Sequence, residues 1–449
     1  MNSAERRLPV SAGRLTKLAT GWLTMFVVGS DLFVVSPLLP LIAADYGIRP
    51  ALAGLSVTLF SVSYMLSAPL LGFIADRIGR ARVLTYCLIA FGAANLLTAI
   101  CGSFSALLAA RLVAGATAAG VSPSVYALVG GAAPSDQRAT WLAVVVSGLL
   151  LSLSFGTPIG LLAGASHGWH MVFAGLGILS LVLACVNTCV WRAEHGVKLL
   201  ATPPLAVTAA VARLAPTVLW SSALYAMYTY LGGGLTSFGY SAGEIAEVIL
   251  FYGWGAIAGI LIGGRMTDRL GAKSTRAIGL AGLGLCFLLL RLALDAGVLV
   301  DLAFGLSSAA AQLFFPAQQV NLASEFPARR ATILAWNNSA LFFGISLGSM
   351  IGGEAIAIAG FDADLIISAA IATVGWIIAR TESSRSGVGQ TISGAVGDPA
   401  ASPIAGTDQD TRGRVIVTVV PDPSSLSMPS VPPCSSTTDF ANGNPRPAP

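Results

Sequence analysis

Apolar runs long enough to cross a bilayer fill this chain almost end to end, and they constrain its fold more than any motif does. A spanning helix needs about 20 apolar residues. Windows of about that length pick out twelve, at 18–41, 51–73, 83–102, 106–130, 139–165 and 170–191, then at 214–237, 246–264, 277–296, 298–320, 331–358 and 363–380. In hydrocarbon the backbone must satisfy its own polar groups, which leaves helices or closed barrels. Barrel strands alternate over about 10 residues, and these runs do not. Only 10% of residues are charged, against roughly 25% in a soluble domain, so too few remain to cover a water-facing surface. A soluble enzyme is thereby excluded. The 50 glycines suit close helix contacts within a membrane.

Lys and Arg orient the spans, because cytoplasmic loops collect them. With the N-terminus inside, Arg77, Arg80, Arg82, Arg138, Arg192, Lys198, Arg213, Arg265, Arg269, Lys273, Arg276, Arg329 and Arg330 fall in or beside inside loops. The outside loops hold Arg49 and otherwise Asp45, Glu244, Asp295, Asp362 and Asp364. An even number of spans puts both termini in the cytoplasm. Residues 1–17 form a basic N-terminal segment, followed by a run too long for a cleaved signal peptide. Residues 192–213, with Pro203 and Pro204, divide the spans into bundles at 18–191 and 214–380. From 381 to 449 the chain turns to Ser, Pro, Gly, Thr and Asp, and a disordered cytoplasmic tail is expected. Five of the six cysteines sit in apolar runs and read as small packing residues.

The two halves repeat. "GFIADRIGRAR" at 72–82 returns as "GRMTDRLGAKS" at 264–274, so Gly72, Asp76, Arg77 and Gly79 each have a twin 192 residues on, at Gly264, Asp268, Arg269 and Gly271. The same offset carries Arg138, Ala139 and Thr140 to Arg330, Ala331 and Thr332, and Gly156 and Gly160 to Gly348 and Gly352. The predicted fold is all-α: twelve transmembrane helices in two pseudo-symmetric six-helix bundles. Halves of even helix number are parallel, with a substrate site expected between them near mid-bilayer.

Asp31 stands about mid-way along the first span. Inserting an aspartate there costs roughly 2.5–3.5 kcal/mol, and helix packing does not require it. Low dielectric disfavours the charged form of a carboxylate, which a group that takes up and releases protons needs. A structural ion pair is the alternative. Gly148, Gly156, Pro158 and Gly160 predict a thin, bent fifth helix sealing a contact between the halves. Polar groups on the spans without an evident packing need are candidate cavity residues: Tyr126, Tyr225, Tyr228, Gln312, Gln318, Gln319, Asn337 and Asn338. Arg291, Asp301 and Glu354 read as snorkelling or locally paired charges. No phosphate-cradling glycine loop, catalytic triad or zinc signature is found, so no ATP, cofactor or metal is expected, and no nucleic-acid partner.

These residues resemble the major facilitator superfamily over about 15–380. The carriers are the loop at 72–82, "RLVAG" at 111–115, "GLLLSLSFGTPIGLLAG" at 148–164, "GSDLFVVSPLLP" at 29–40 and "NSALFFGISLGSMIGG" at 338–353. The helix-five stretch is similar to the antiporter motif, although Thr157 separates Gly156 from Pro158 and Leu161 stands where a second glycine is common. The resemblance implies a monomeric proton-coupled exporter of small molecules such as drugs or sugars, in a cell inner membrane. It implies Arg111 as the partner of Asp31. It also implies that Gly72, Asp76, Arg77, Gly79 and Arg80, with Asp268, Arg269 and Gly271, govern gating, Asp76 latching the N-terminal end of the eleventh helix. A proton-coupled uptake symporter and a non-transporting membrane sensor are the competing readings.

Overall fold

The computed structural model describes residues 12–134, 137–191, 207–294 and 298–395. The first eleven residues, most of the central loop and the expected tail beyond 395 lie outside them. The described residues form helices: α1 (Ala12–Tyr46), α2 (Pro50–Ile78), α3 (Arg80–Ala99), α4 (Phe104–Ala132), α5 (Arg138–Leu151, a π-helical turn Ser152–Gly156, then Thr157–His167) and α6 (Trp169–Val190). The second half holds α7 (Val207–Ser237), α8 (Ala242–Leu270), α9 (Ala272–Ala293) and α10 (Val298–Glu325). The last helical stretch, Arg330–Ala395, breaks at Ala359 and Gly360, giving α11 (330–358) and α12 (361–395). A helix therefore stands at each of the twelve expected positions. α12 runs beyond its expected end at 380, since extending a formed helix costs far less than starting one.

Local chemistry sets where the chain turns. Ser103 caps α4 by accepting from the Ala106 N–H. Ser241 and Glu244 form a capping box at the start of α8, satisfying N–H groups that would otherwise be orphaned. Among the described residues, six glycines have positive φ and fall into three pairs, Gly47 with Gly239, Gly79 with Gly271 and Gly168 with Gly360. Each pair is separated by the same 192 residues as the sequence repeat. A left-handed turn costs a residue with a Cβ about 1–2 kcal/mol, so the repeat recurs in backbone conformation as well as in letters.

Burial separates central from peripheral helices. α7 carries Trp220, Ser221, Ser222, Tyr225, Tyr228, Thr229 and Tyr230, yet it is buried continuously from 220 to 232. It is too polar to face lipid and has no need to. α3, α6, α9 and α12 instead expose Ile89, Leu97, Ile178, Val182, Leu288, Leu292, Ile366 and Ile377, as helices against lipid do. For orientation, the end carrying the Asp76 and Asp268 loops is called the basic end and the opposite one the acidic end.

The hydrogen bonds and ring contacts that join the halves run from the middle to the acidic end. Thr58 and Ser349 share a hydroxyl–hydroxyl bond of 2.6 Å. Tyr230 Oη donates to the carbonyls of Ser349 (2.9 Å) and Ala51 (3.3 Å). Tyr64 stacks on Phe342 with centroids 3.5 Å apart. Gly232 lets α7 close on α1: a Cβ there would lie 2.7 Å from Pro37 Cα.

Two charges leave the loops to which the sequence assigned them. Arg276, read as an inside-loop cation, is buried on α9, where its Nη1 donates to Gln318 Oε1 at 2.9 Å. Asp364, read as an outside-loop acid, is 0% exposed on α12. In both cases the turn is shorter than expected. The chain is helical again right after Gly271 and Gly360, and the side chain lands on the inner face.

Candidate transport site

Asp31 and Arg111 come together inside the first bundle. Arg111 Nη1 on α4 donates to Asp31 Oδ1 on α1 at 2.8 Å, with side chains 2% and 0% exposed. The guanidinium carbon lies 4.6 Å from the Phe60 ring centroid on α2 and 5.5 Å from that of Phe173 on α6. Aromatic faces attract a desolvated cation, so Arg111 is held from three helices besides its own. Gly115 makes this possible, because any Cβ there would collide with the Phe60 carbonyl of α2. Asp31 Oδ2 and Arg111 Nε have no hydrogen-bond partner. The pair is half satisfied, with one carboxylate oxygen free to accept a proton or a new donor. The repeat offset carries Asp31 and Arg111 to Ala223 and Ala303, so the second bundle has no copy of it.

The fifth-helix glycines face α1. A Cβ at Gly148 would sit 2.5 Å from the Trp22 carbonyl, one at Gly156 would strike Ser30 Oγ, and one at Gly160 would strike Val34. This corrects the expectation that they seal the two halves: they bring α5 onto α1 within one bundle. The contact between halves falls on the neighbouring face, where Gly253 of α8 meets Ser154 (Cβ to Cα 2.5 Å) and Trp254 meets Phe155 edge-on at 5.9 Å. Pro158 accounts for the π turn. Its ring would crowd the carbonyl four residues back, and the widened turn relieves that clash. Thr157 then uses its hydroxyl on the Ser152 carbonyl at 3.2 Å.

Aromatic side chains meet between the bundles. Tyr228 stacks on Tyr252 (5.3 Å), packs edge-on against Tyr225 (5.8 Å) and Phe33 (6.2 Å), and donates to the Phe33 carbonyl at 3.2 Å. Tyr64 lies beside Asn338 and Ser122, and Tyr126 lies near Tyr64. Gln312 is half-buried on α10, one turn from Ser308, a neighbour of Tyr252. Tyr126, Tyr225, Tyr228 and Asn338 thus gather along the seam. Asn337 does not: its Oδ1 accepts from Thr217 at 2.6 Å. Gln318 joins that network through Thr217 (3.1 Å), the Arg213 carbonyl (3.0 Å) and Arg276, which ties α7, α9, α10 and α11 together towards the basic end. Sequence reasoning missed Phe33, Tyr64 and Tyr252. Aromatics in an apolar run carry no mark that separates a seam from a core.

In the loop motif, Arg80 Nη2 donates to Asp76 Oδ1 at 2.7 Å, both about one-third exposed, and Arg77 lies over the Phe73 ring at 4.1 Å. Gly79 (φ 97°) and Gly271 (φ 82°) make the two tight turns. A Cβ at Gly72 would meet nothing within 4 Å. Asp268 and Arg269 occupy the exposed last turn of α8. At the acidic end Arg291 lies 2.9 Å from Asp362, a local pair of the expected kind.

Comparison with known proteins agrees with this architecture. The chain is 29% identical over 338 residues to the uncharacterized MFS-type transporter YceJ of Bacillus subtilis (strain 168), covering 73% of this chain and 86% of that one. It is 28% identical over 260 residues to a chloramphenicol resistance protein of Streptomyces lividans, covering 56% and 66%. The crystal structure of a D-xylose–proton symporter superposes with a TM-score of 0.69 at 15% identity, over 81% of this chain and 97% of that one. The family model described as Major Facilitator Superfamily matches twice, at 21–237 and 205–419. With both halves matched, the chain is a multi-pass membrane transporter, not an enzyme, and belongs to the major facilitator superfamily.

Proposed function

We propose that this protein is a proton-coupled exporter of small organic molecules, working by alternating access as a monomer in a cell inner membrane. The observation that carries the reading is the Asp31–Arg111 pair, buried in a membrane helix with one carboxylate oxygen unpartnered. Arg111 stays charged in any protein environment and holds Asp31 through the 2.8 Å contact. A proton arriving at Oδ2 neutralises Asp31, weakens the ion pair and leaves Arg111 to Phe60 and Phe173. Because the pair anchors α1 to α4, α1 then becomes freer to move against α7. Drug and proton compete through that one contact.

Export rather than uptake is supported by the helix-five glycines and by the likeness to a chloramphenicol resistance protein. The basic end is cytoplasmic by the distribution of Lys and Arg, which makes the sealed acidic end external in this state. Tyr225, Tyr228, Tyr126 and Asn338 supply an aromatic, sparsely polar cavity suited to uncharged or weakly charged organic molecules. Asp76 and Asp268 with their arginines act as gating loops at the cytoplasmic face.

Everted vesicles from cells expressing the protein decide the matter. With an imposed proton gradient, a lipophilic drug should accumulate inside the vesicles while protons leave. Asp31→Asn should abolish the gradient-driven component. Co-movement of substrate and protons would make the protein an uptake symporter, and full gradient-driven transport by Asp31→Asn would remove the proposed proton site.

A further inference from the structure

The carboxyl group of Asp364 has no part in the scheme above, yet it is as deeply buried as Asp31 and far worse accommodated. It sits one turn into α12, just after the Gly360 break, at 0% exposure, and neither of its oxygens accepts a hydrogen bond. Ser368, one turn further along the same face, is also fully buried with an unpartnered hydroxyl. The space for the carboxyl is made by a glycine. A Cβ at Gly352 of α11 would stand 2.9 Å from Asp364 Oδ1 and 2.6 Å from the Ala226 carbonyl of α7.

Among the described residues, the groups that face it offer no counter-charge. From α7 comes Tyr230, close enough to feel the charges of both Asp364 and Glu354, the latter on α11. On α12 itself Asp362 stands two residues earlier, and the cation of that corner, Arg291 of α9, is engaged with Asp362. An isolated carboxylate in such surroundings is expensive enough that the group takes a proton instead.

We propose that Asp364 is a second proton-binding site, separate from the Asp31–Arg111 pair, protonated while the acidic end is closed and deprotonated when that end opens. Tyr230, its neighbour, is one of the side chains that bridge the halves there, through the carbonyls of Ala51 and Ser349. A neutral acid lets α7, α11 and α12 pack dry beneath that bridge. Its ionised form calls for water in the same seam, which loosens it. The sign follows: raising the pH on the acidic side favours opening, and lowering it favours closure. The proposal rests on the alternating-access reading, but the proton itself can be observed without transport.

Infrared difference spectra of the purified protein in liposomes, recorded between neutral and alkaline pH, read the proton directly. The carbonyl stretch of a protonated acid should disappear on raising the pH in the wild type and in Asp31→Asn, and be missing throughout in Asp364→Asn. A wild type without that band, or an Asp364→Asn protein that keeps it, overturns the site. Asp364→Leu, which leaves no polar atom to satisfy, replaces the asparagine variant if the latter does not fold. Opening is read with Ser349→Cys in a background whose native cysteines are replaced, using a membrane-impermeant maleimide on the acidic side. Because the thiolate is the reacting form, labelling is divided at each pH by that of Asp364→Asn; the ratio should rise with pH by up to about tenfold per unit. Unchanged pH dependence in that variant overturns the coupling to opening. A protein with the infrared band but no proton-driven flux would keep this site and lose the transport reading instead.

Discussion

Replacing Arg111 with glutamine leaves Asp31 without its cation, and replacing Asp31 with asparagine leaves Arg111 without its anion, but the two losses should differ in size and in pH dependence. Removing one member of a buried pair costs about 3–5 kcal/mol, mostly because the other is left charged and unpaired. Arg111 cannot shed its charge. In Asp31→Asn it keeps the Phe60 and Phe173 faces, each worth about 0.5–2 kcal/mol, and an amide oxygen as acceptor. A net cost of about 2–3 kcal/mol at every accessible pH is expected. In Arg111→Gln the stranded group is a carboxylate that can take a proton, so the penalty should be large at alkaline pH and shrink as pH falls. The double variant Asp31→Asn/Arg111→Gln carries no charge and should cost less than the two single losses added together, by a coupling energy of about 2–4 kcal/mol. Thermal unfolding of the four proteins in detergent at two pH values gives the cycle. Single effects that simply add, within about 0.5 kcal/mol, would show that the 2.8 Å contact is energetically idle and would refute the reasoning. The double variant should also fold without coupling drug movement to protons.

Gly148→Val should abolish folded protein in the membrane, since its Cβ would press on the Trp22 carbonyl at 2.5 Å, whereas Gly72→Ala, with open space around its Cβ, should express normally; detergent-extracted yield compares them. Gly79→Ala and Gly271→Ala should each lower stability by about 1–2 kcal/mol through their left-handed backbone, read as thermal midpoints. Cys101 lies in the α3–α4 turn at the acidic end, where burial holds its thiol above the ordinary value. An impermeant maleimide added to intact cells should therefore label it slowly at neutral pH and faster as pH rises; labelling only in everted vesicles would reverse the topology.

Much of this molecule is legible in its letters because lipid leaves a chain few options. Apolar length located most of the helices, the 192-residue offset exposed the duplication, and an aspartate within a span was conspicuous, although its partner Arg111 came from the family resemblance and not from spacing. What stayed hidden depended on rotation. Asp362 and Asp364 look like one acidic loop in sequence. Once Gly360 starts a new helix they lie two positions apart on opposite faces, one with Arg291 and one buried. Asn337 and Asn338 diverge for the same reason, into the Thr217 network and towards Tyr64. The spacing of Gly148, Gly156 and Gly160 announced a close approach but not its partner, because a ridge of small residues fits any neighbouring helix that presents a groove.

The paired left-handed glycines have a practical bearing. Each of the three joints exists in duplicate, Gly47 and Gly239, Gly79 and Gly271, Gly168 and Gly360, so a lesion in one can be weighed against the same lesion in its twin, on one polypeptide and in one membrane. Where the twins respond alike, the joint is scaffolding inherited from the ancestral half. Where they part company, the difference marks what one half learned to do after the duplication.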